Sequence, residues 1–249
     1  MSDSVRSRQL EELLTSEVAQ VVPSAIDRVI IPCGATEAHG AAGLGTDTII
    51  PVGISNRIAE QLNALVAPAV PYGVLKSLRR YPGSVSLDPA TYAQLLFEIG
   101  TGLLDSGFRK LIFINGHSGN FDGIKQACFR LHRERAAHAL AYDWFREPVQ
   151  GEGYPYGEMG GHSGAAETGL VLALRPGAAP EGRWKDEDAG TLNPAITAYP
   201  GPFPIILDNE GAGLPDYDPK KAEIFLESVT SLAASSLKRV LDRWEALGQ

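Results

Sequence analysis

The sequence predicts an α/β fold, a mainly parallel central sheet with helices on both faces. Three observations carry that expectation. Short apolar runs alternate with helix-length periodic segments, in the order strand–helix–strand–helix–strand–helix–strand. The runs, Val29-Ile30-Ile31 and Leu111-Ile112-Phe113-Ile114 among them, are apolar throughout, as strands covered on both faces are. Asp88-Pro89 and Asp218-Pro219 each mark a helix start, with aspartate as cap and proline at the first helical position, where its missing N–H costs nothing.

Residues 8–19 read as a short helix leading into a strand over 28–35. Ile50, Ile54, Ile58 and Leu62 recur at helical spacing, so a helix is expected over 49–65. A strand over 65–70 follows, ended by Tyr72-Gly73. The helix opened by Asp88-Pro89 runs to Ser106, where Gly107 stops it, and a strand over 109–114 follows at once. A helix over 121–135, a strand over 138–144 and a helix over 165–174 complete the alternation. Right-handed crossovers are expected. Residues 176–218 are rich in Pro and Gly with little periodicity. Such a segment in a compact domain is functional or packs against a partner subunit. A C-terminal helix runs from Asp218 to about residue 246. No repeat or composition break divides the chain, so residues 1–249 are read as one domain.

With 249 residues, 44% hydrophobic and 21% charged, the chain can bury a sizeable core. The net charge of −8 argues against nucleic acid and anionic membranes as partners, since both call for a basic patch and no basic run, Arg79-Arg80 included, exceeds two residues. Cys33 and Cys128 are the only cysteines, read as free thiols in a reducing cytoplasm. Asp3, Glu11, Glu12 and Glu17 near the start do not fit a secretory leader. No apolar stretch is long enough to span a bilayer.

Three clusters carry chemistry. Glu37-Ala38-His39 follows the first strand. Its two ligand-type side chains are two residues apart and share a face if the extended geometry continues. Asp47 lies beyond a loop with three glycines that could fold it back beside them; taken alone it reads as a helix N-cap. His117, in Asn115-Gly116-His117-Ser118-Gly119-Asn120, follows a second strand. In open parallel sheets, ligand sites form beyond such strand ends. Glu167 falls inside an otherwise apolar helix, where a carboxylate is costly to bury unless paired or bound to metal. His162 precedes that helix and could serve as acid or base. Carboxylates and imidazoles at these positions suit one or two divalent metals, Zn²⁺ or Mn²⁺. His132 and His138 read as structural or exposed.

Taken together, the clusters resemble the creatininase family of metal-dependent amidohydrolases. The matching stretches are Glu37-Ala38-His39-Gly40 leading to Asp47-Thr48, Asn115 to Asn120, and His162 to Thr168. Tyr72-Gly73 and Tyr81-Pro82-Gly83-Ser84 add a fourth. The match spans about residues 28–175. The resemblance implies a three-layer α/β/α sandwich and a two-metal site. Glu37 and His117 would hold one ion, His39 the other, and Asp47 would bridge. Gly119 stands where creatininase proper carries a metal-binding Glu, and Glu167 is the candidate replacement. The family also implies a homo-oligomer, with a hexamer the expected form.

Three departures speak against creatinine as substrate. The loop after His39-Gly40 is one residue short and lacks a second His. Gly161 replaces a catalytic Glu, and Leu75-Lys76-Ser77-Leu78 replaces a polar Glu-His pair. The expected function is hydrolysis of a C–N bond in a cyclic amide, formamide or short peptide. Water is activated by two metals, His162 donates a proton to the leaving nitrogen, and Arg79, Arg80, Tyr81 and Ser118 contact the small-molecule substrate. Two alternatives remain: hydrolysis of a C–C bond in a cyclic keto-polyol such as a keto-inositol, and a non-catalytic metal-binding scaffold.

Overall fold

The computed structural model describes residues 5–147, 149–158, 160–193 and 195–248. Its centre is a four-stranded, wholly parallel sheet in the order β2-β1-β3-β4, formed by β1 (Arg28–Cys33), β2 (Ala64–Val66), β3 (Lys110–Asn115) and β4 (His138–Asp143). Ile30 of β1 pairs with Ile112 of β3, and Cys33 with Asn115, so the carboxyl ends of these two strands lie level. Alternate side chains of these strands feed two cores. Ile30, Ile112 and Ile114 pack against α2 (Thr46–Ile58), α5 (Ala165–Leu174) and the long α6 (Pro219–Ala246). Val29, Ile31, Leu111 and Phe113 pack against α3 (Pro89–Asp105) and α4 (Phe121–Arg135) on the other face, with α1 (Thr15–Val21) at its edge. Helices therefore cover both faces, which is why the strands carry no polar side.

The capping signals act as read. Asp88 accepts from the Ala90 and Thr91 amides, and Asp218 from those of Lys220 and Lys221. Gly107 takes φ +104 after α3, a conformation that side chains resist. Three boundaries differ from expectation. The first helix splits into a 3₁₀ turn at Leu10–Glu12 and α1. The helix expected over 49–65 begins at Thr46 and ends at Ile58; Asn63, with φ 45, turns the chain into β2. The strand expected over 65–70 pairs continuously only through Val66. Pro68 cannot donate to a ladder, and Val70 returns as a lone bridge to Cys33.

The irregular stretch after α5 holds a small parallel pair, β5 (Ala189–Thr191) and β6 (Ile205–Leu207). At three residues each, these strands are too short for periodicity to reveal. β6 matters for the site, because Ile206 and His162 exchange backbone hydrogen bonds of 2.8 and 3.0 Å.

Candidate metal centre

The chain enters β2 on one side of β1 and returns for β3 on the other, so the carboxyl ends of β1 and β3 flank a topological switch point, the place where open α/β sheets bind ligands. Glu37 and His39 follow β1, and His117 follows β3. Asn120 ties these turns together: its side chain donates to the Gly34 carbonyl at 2.8 Å and accepts from the Val74 amide at 2.9 Å. The Tyr81-Pro82-Gly83-Ser84 turn supports the same region. Ser84 Oγ accepts from the Ala38 amide at 2.9 Å, and Val85 bridges to Thr36.

Asp47 is not an N-cap. Gly45 occupies that position, and Asp47 sits in the first turn of α2, only 1% exposed, with its carboxylate turned inward. Its two oxygens are divided between two histidines: Oδ1 lies 3.1 Å from His39 Nε2, and Oδ2 lies 2.8 Å from His117 Nδ1. Glu37 Oε2 stands 3.3 Å from His117 Nδ1, and Glu167 Oε2 stands 3.6 Å from His39 Nε2. The ligand-type atoms thus fall into two groups, Glu37–Asp47–His117 and His39–His162–Glu167, each spanning no more than 4.8 Å. All are buried except His162, which is half-buried.

The hydrogen bonds behind the histidines fix which nitrogens face the centre. His39 Nδ1 lies 3.0 Å from the Glu37 carbonyl, His117 Nε2 lies 3.1 Å from the Val74 carbonyl, and His162 Nε2 lies 2.8 Å from the Ala38 carbonyl. A carbonyl can only accept, so each of these nitrogens carries the proton. Each ring then presents its other nitrogen inward, the arrangement that orients metal-binding histidines. His39 Nε2 and Asp47 Oδ2 are buried yet complete no hydrogen bond. Nitrogen and carboxylate donors, orphaned and convergent, fit divalent Zn²⁺ or Mn²⁺.

Without metal, protons take the place of the cations. Burial alone would push His39 down, but Asp47 and then Glu167 outweigh it and hold the imidazole at about 10. Against the same burial, Asp47 and Glu37 hold His117 at about 9. Burial works to raise Asp47 as well, yet the two imidazolium rings keep it well below the ordinary carboxylate range. Burial raises Glu37, and it lifts Glu167 to about 7 against the pull of His39. His162 goes the other way: burial, then the charge of His39, whose ring centroid is 4.2 Å away, lowers it to about 4.

The model of the creatininase family, described as creatinine amidohydrolase, matches residues 11–235. Creatinine amidohydrolase of Pseudomonas putida is 32% identical over 200 residues, covering 70% of this chain and 77% of its own length. Mycofactocin precursor peptide peptidase of Mycobacterium tuberculosis is 30% identical over 198 residues, covering 75% and 73%. The 3-dehydro-scyllo-inosose hydrolase of Thermotoga maritima is 30% identical over 159 residues, covering 60% and 51%. Solved creatininase structures, one a mutant in a Zn–Zn form and one in a Mn form, match with TM-scores of 0.80 and 0.79. Each is 27% identical, and the match covers 94% of this chain and 98% of theirs. The chain belongs to the creatininase family. It is a creatininase-family amidohydrolase with residues grouped to bind metal.

Gly119 and Gly161, read above as departures from the family pattern, both sit where the backbone admits no side chain. A Cβ at Gly119 would stand 2.1 Å from the Val74 carbonyl and 2.7 Å from His117 Nε2, so the present backbone leaves no room for a glutamate. At Gly161, φ is +67 and a Cβ would meet the Ile206 carbonyl at 2.4 Å. That hypothetical atom also lies 3.1 Å from Asp208 Oδ1, so a carboxylate from another segment stands beside the position. Asp208 lines a cavity of about 170 Å³ together with Asp47, His117, Asp143, His162 and Glu167. Sequence reasoning missed Asp208 and Asp143. Asp143 ends β4 in register with Asn115 and accepts from its side chain at 3.1 Å, a position visible once the strand register is known.

Ser118 lines this cavity and also a second one of about 140 Å³ with Glu37, Lys76, Ser77 and His162. Arg79 and Arg80 do not reach either. They line a separate cavity of about 410 Å³. Tyr81 donates its hydroxyl to the Gly201 carbonyl at 3.1 Å and braces a loop. His132 and His138 are structural, the first beside the Ala137 carbonyl and the second edge-on to Trp244. Cys33 and Cys128 are both free. Among the described residues no helix is long and apolar enough to cross a membrane.

Proposed function

We propose that this protein hydrolyses a C–N bond of a cyclic amide, a formamide or a short peptide at a centre for two divalent ions. Glu37, Asp47 and His117 would hold one ion; His39, Asp47 and Glu167 would hold the other. The observation that carries this is Asp47, whose two carboxylate oxygens are divided between inward-facing nitrogens of two histidines. When bound, such ions acidify water and polarise a carbonyl.

The side chains around the centre would do the rest. His162 spends its Nε2 proton on the Ala38 carbonyl and is lowered to about 4, so it would first accept a proton at Nδ1 and then serve as the donor to the leaving nitrogen that the sequence suggested. It would take a proton from the attacking water and return it to the departing nitrogen, one transfer in each direction. Added cationic charge nearby lowers an imidazole further, so the neutral form is favoured with or without metal. Ser118, which lines both cavities, would contact the substrate.

The test is metal analysis with product analysis on the purified protein. We expect two tightly held divalent ions per chain, and amine release from a panel of cyclic amides, formamides and short peptides supplied with Zn²⁺ or Mn²⁺. An acyclic keto-acid formed from a keto-inositol, with no amine released from the panel, would move the enzyme to the chemistry named for the Thermotoga relative. Fewer than one ion per chain after supplementation would leave a non-catalytic scaffold.

A further inference from the structure

The cavity lined by Arg79 and Arg80 stands apart from the metal centre but not from its approaches. Leu75, Lys76, Ser77, Tyr199 and Pro200 complete its walls. Lys76 and Ser77 also line the smaller cavity that touches Glu37, His117 and His162. Two residues therefore face both spaces, and a molecule of modest length could occupy both. The walls are built rather than incidental. The Gly201 amide donates to the Ser77 carbonyl at 2.8 Å, and the Tyr81 hydroxyl donates to the Gly201 carbonyl, so the loop bearing Tyr199 and Pro200 is pinned to the basic segment.

Three cations stand close together along this wall. The chain as a whole carries −8, and many of its cations are paired with carboxylates. Lys76, Arg79 and Arg80 are exposed, and among the described residues none has a carboxylate partner within 4.0 Å. Three cations within five residues repel one another. A solvated basic turn would not need a pinned wall opposite, nor a shared boundary with the metal centre.

We propose that Lys76, Arg79 and Arg80 form a subsite for an oxyanion carried by the substrate, a carboxylate or phosphate remote from the bond that is cut. This rests on the hydrolase reading above, and it adds the charge of the substrate to it. Guanidinium groups match the planar edge of a carboxylate or the face of a phosphate with paired hydrogen bonds. Lys76, on the shared boundary, is the cation nearest the metal-side cavity. The scissile group would lie over Asp47 and His117, and the tail would pass Ser77 into the basic cavity.

Binding of small fluorinated oxyanions tests this without knowledge of the substrate. The metal-loaded protein is titrated with trifluoroacetate and with monofluorophosphate, followed by fluorine NMR. The Arg79→Gln/Arg80→Gln variant is compared with the wild type, and both with chelator-treated protein. The expected result is saturable binding that weakens about tenfold or more in the variant, falls as salt is added and survives metal removal. Metal content should be equal in variant and wild type. Preference for monofluorophosphate marks a phosphate tail; preference for trifluoroacetate marks a carboxylate tail. The proposal is overturned if the variant binds as tightly as the wild type, if neither probe binds the wild type, or if binding disappears with the metal alone. Because no turnover is measured, these outcomes are independent of whether the amide panel is hydrolysed.

Discussion

The two halves of the metal centre are built differently. Glu37, Asp47 and His117 come from turns at the ends of β1 and β3 and from the first turn of α2, all braced by Asn120 and the sheet beneath. His39, His162 and Glu167 depend on a second layer. His162 is clamped to β6, and Glu167 accepts from the Ser163 amide at 2.6 Å, with Ser163 itself at φ 59. The loop between His39 and Asp47 is likewise held from outside, by Pro204 and Ala178 carbonyls that accept from Gly40 and Gly43. One half is set by the sheet, and the other is assembled by the irregular segment that follows α5. Rigidity and affinity should differ accordingly, because a site is only as well defined as the shell that holds it.

Asp47 belongs to both halves, so Asp47→Ala is the largest change. We expect loss of both ions with the fold retained, and activity at background. The loss in affinity should exceed the ~10–100-fold that removing a supporting contact costs. Metal analysis beside circular dichroism decides it, and full occupancy in the variant would remove Asp47 from the centre altogether. Glu167→Gln separates the halves. It should release one ion and keep the other between Glu37 and His117, whereas Glu37→Gln should do the reverse. If either variant empties both positions, the halves are a single cooperative unit and the contrast fails.

His162→Ala asks to which role the second half owes its histidine. A proton-transfer role predicts a fall in turnover of about 10²–10⁴-fold with metal content unchanged. Release of an ion would instead make His162 a ligand beside His39 and Glu167.

How far the sequence reveals this centre depends on distance along the chain. Glu37, His39, Asp47 and His117 lie beside apolar strands whose burial shows directly in composition. Their convergence follows from the general rule for parallel sheets. Glu167 was legible from the energetic oddity of an acid in an apolar helix. Asp208 was not. It reaches the cavity only because a three-residue strand bridges to His162, and a strand of that length leaves no periodic trace. Arg79 and Arg80 were read from the sequence as substrate contacts. Their location, one cavity away, follows from the Ser77–Gly201 hydrogen bond, which sequence does not encode locally.

Proton uptake tells the halves apart more gently. In the metal-free protein His39 titrates near 10 and His117 near 9, both above the ordinary imidazole value. Stability from the two charged rings is therefore fully present below about pH 6.5 and is lost as pH rises through 9 to 10. Asp47 is depressed, so its contribution is present above about pH 4 and lost as pH falls below it. Chelator-treated protein should melt highest between about pH 4 and 6.5. Binding metal at pH 7.5 should release about two protons per chain, since ligands must be deprotonated. Calorimetry in buffers of different ionisation enthalpy measures this directly. Release of about one would mean that only one half is protonated before loading.

The smallest effect is expected at Asp208, and it tests whether the second half extends beyond the ions. Its carboxylate faces the same cavity as His162, stands beside Gly161, and is two residues beyond the backbone clamp at Ile206. A carboxylate so placed would accept a hydrogen bond from a substrate N–H or hydroxyl without touching the metals. Asp208→Asn keeps the shape and one acceptor but removes the charge. The loss of a charge-assisted hydrogen bond to substrate corresponds to about tenfold in kcat/KM, with metal content, melting temperature and oxyanion binding unchanged. A change in metal content would place Asp208 among the ligands, and unchanged kinetics would return it to the solvent.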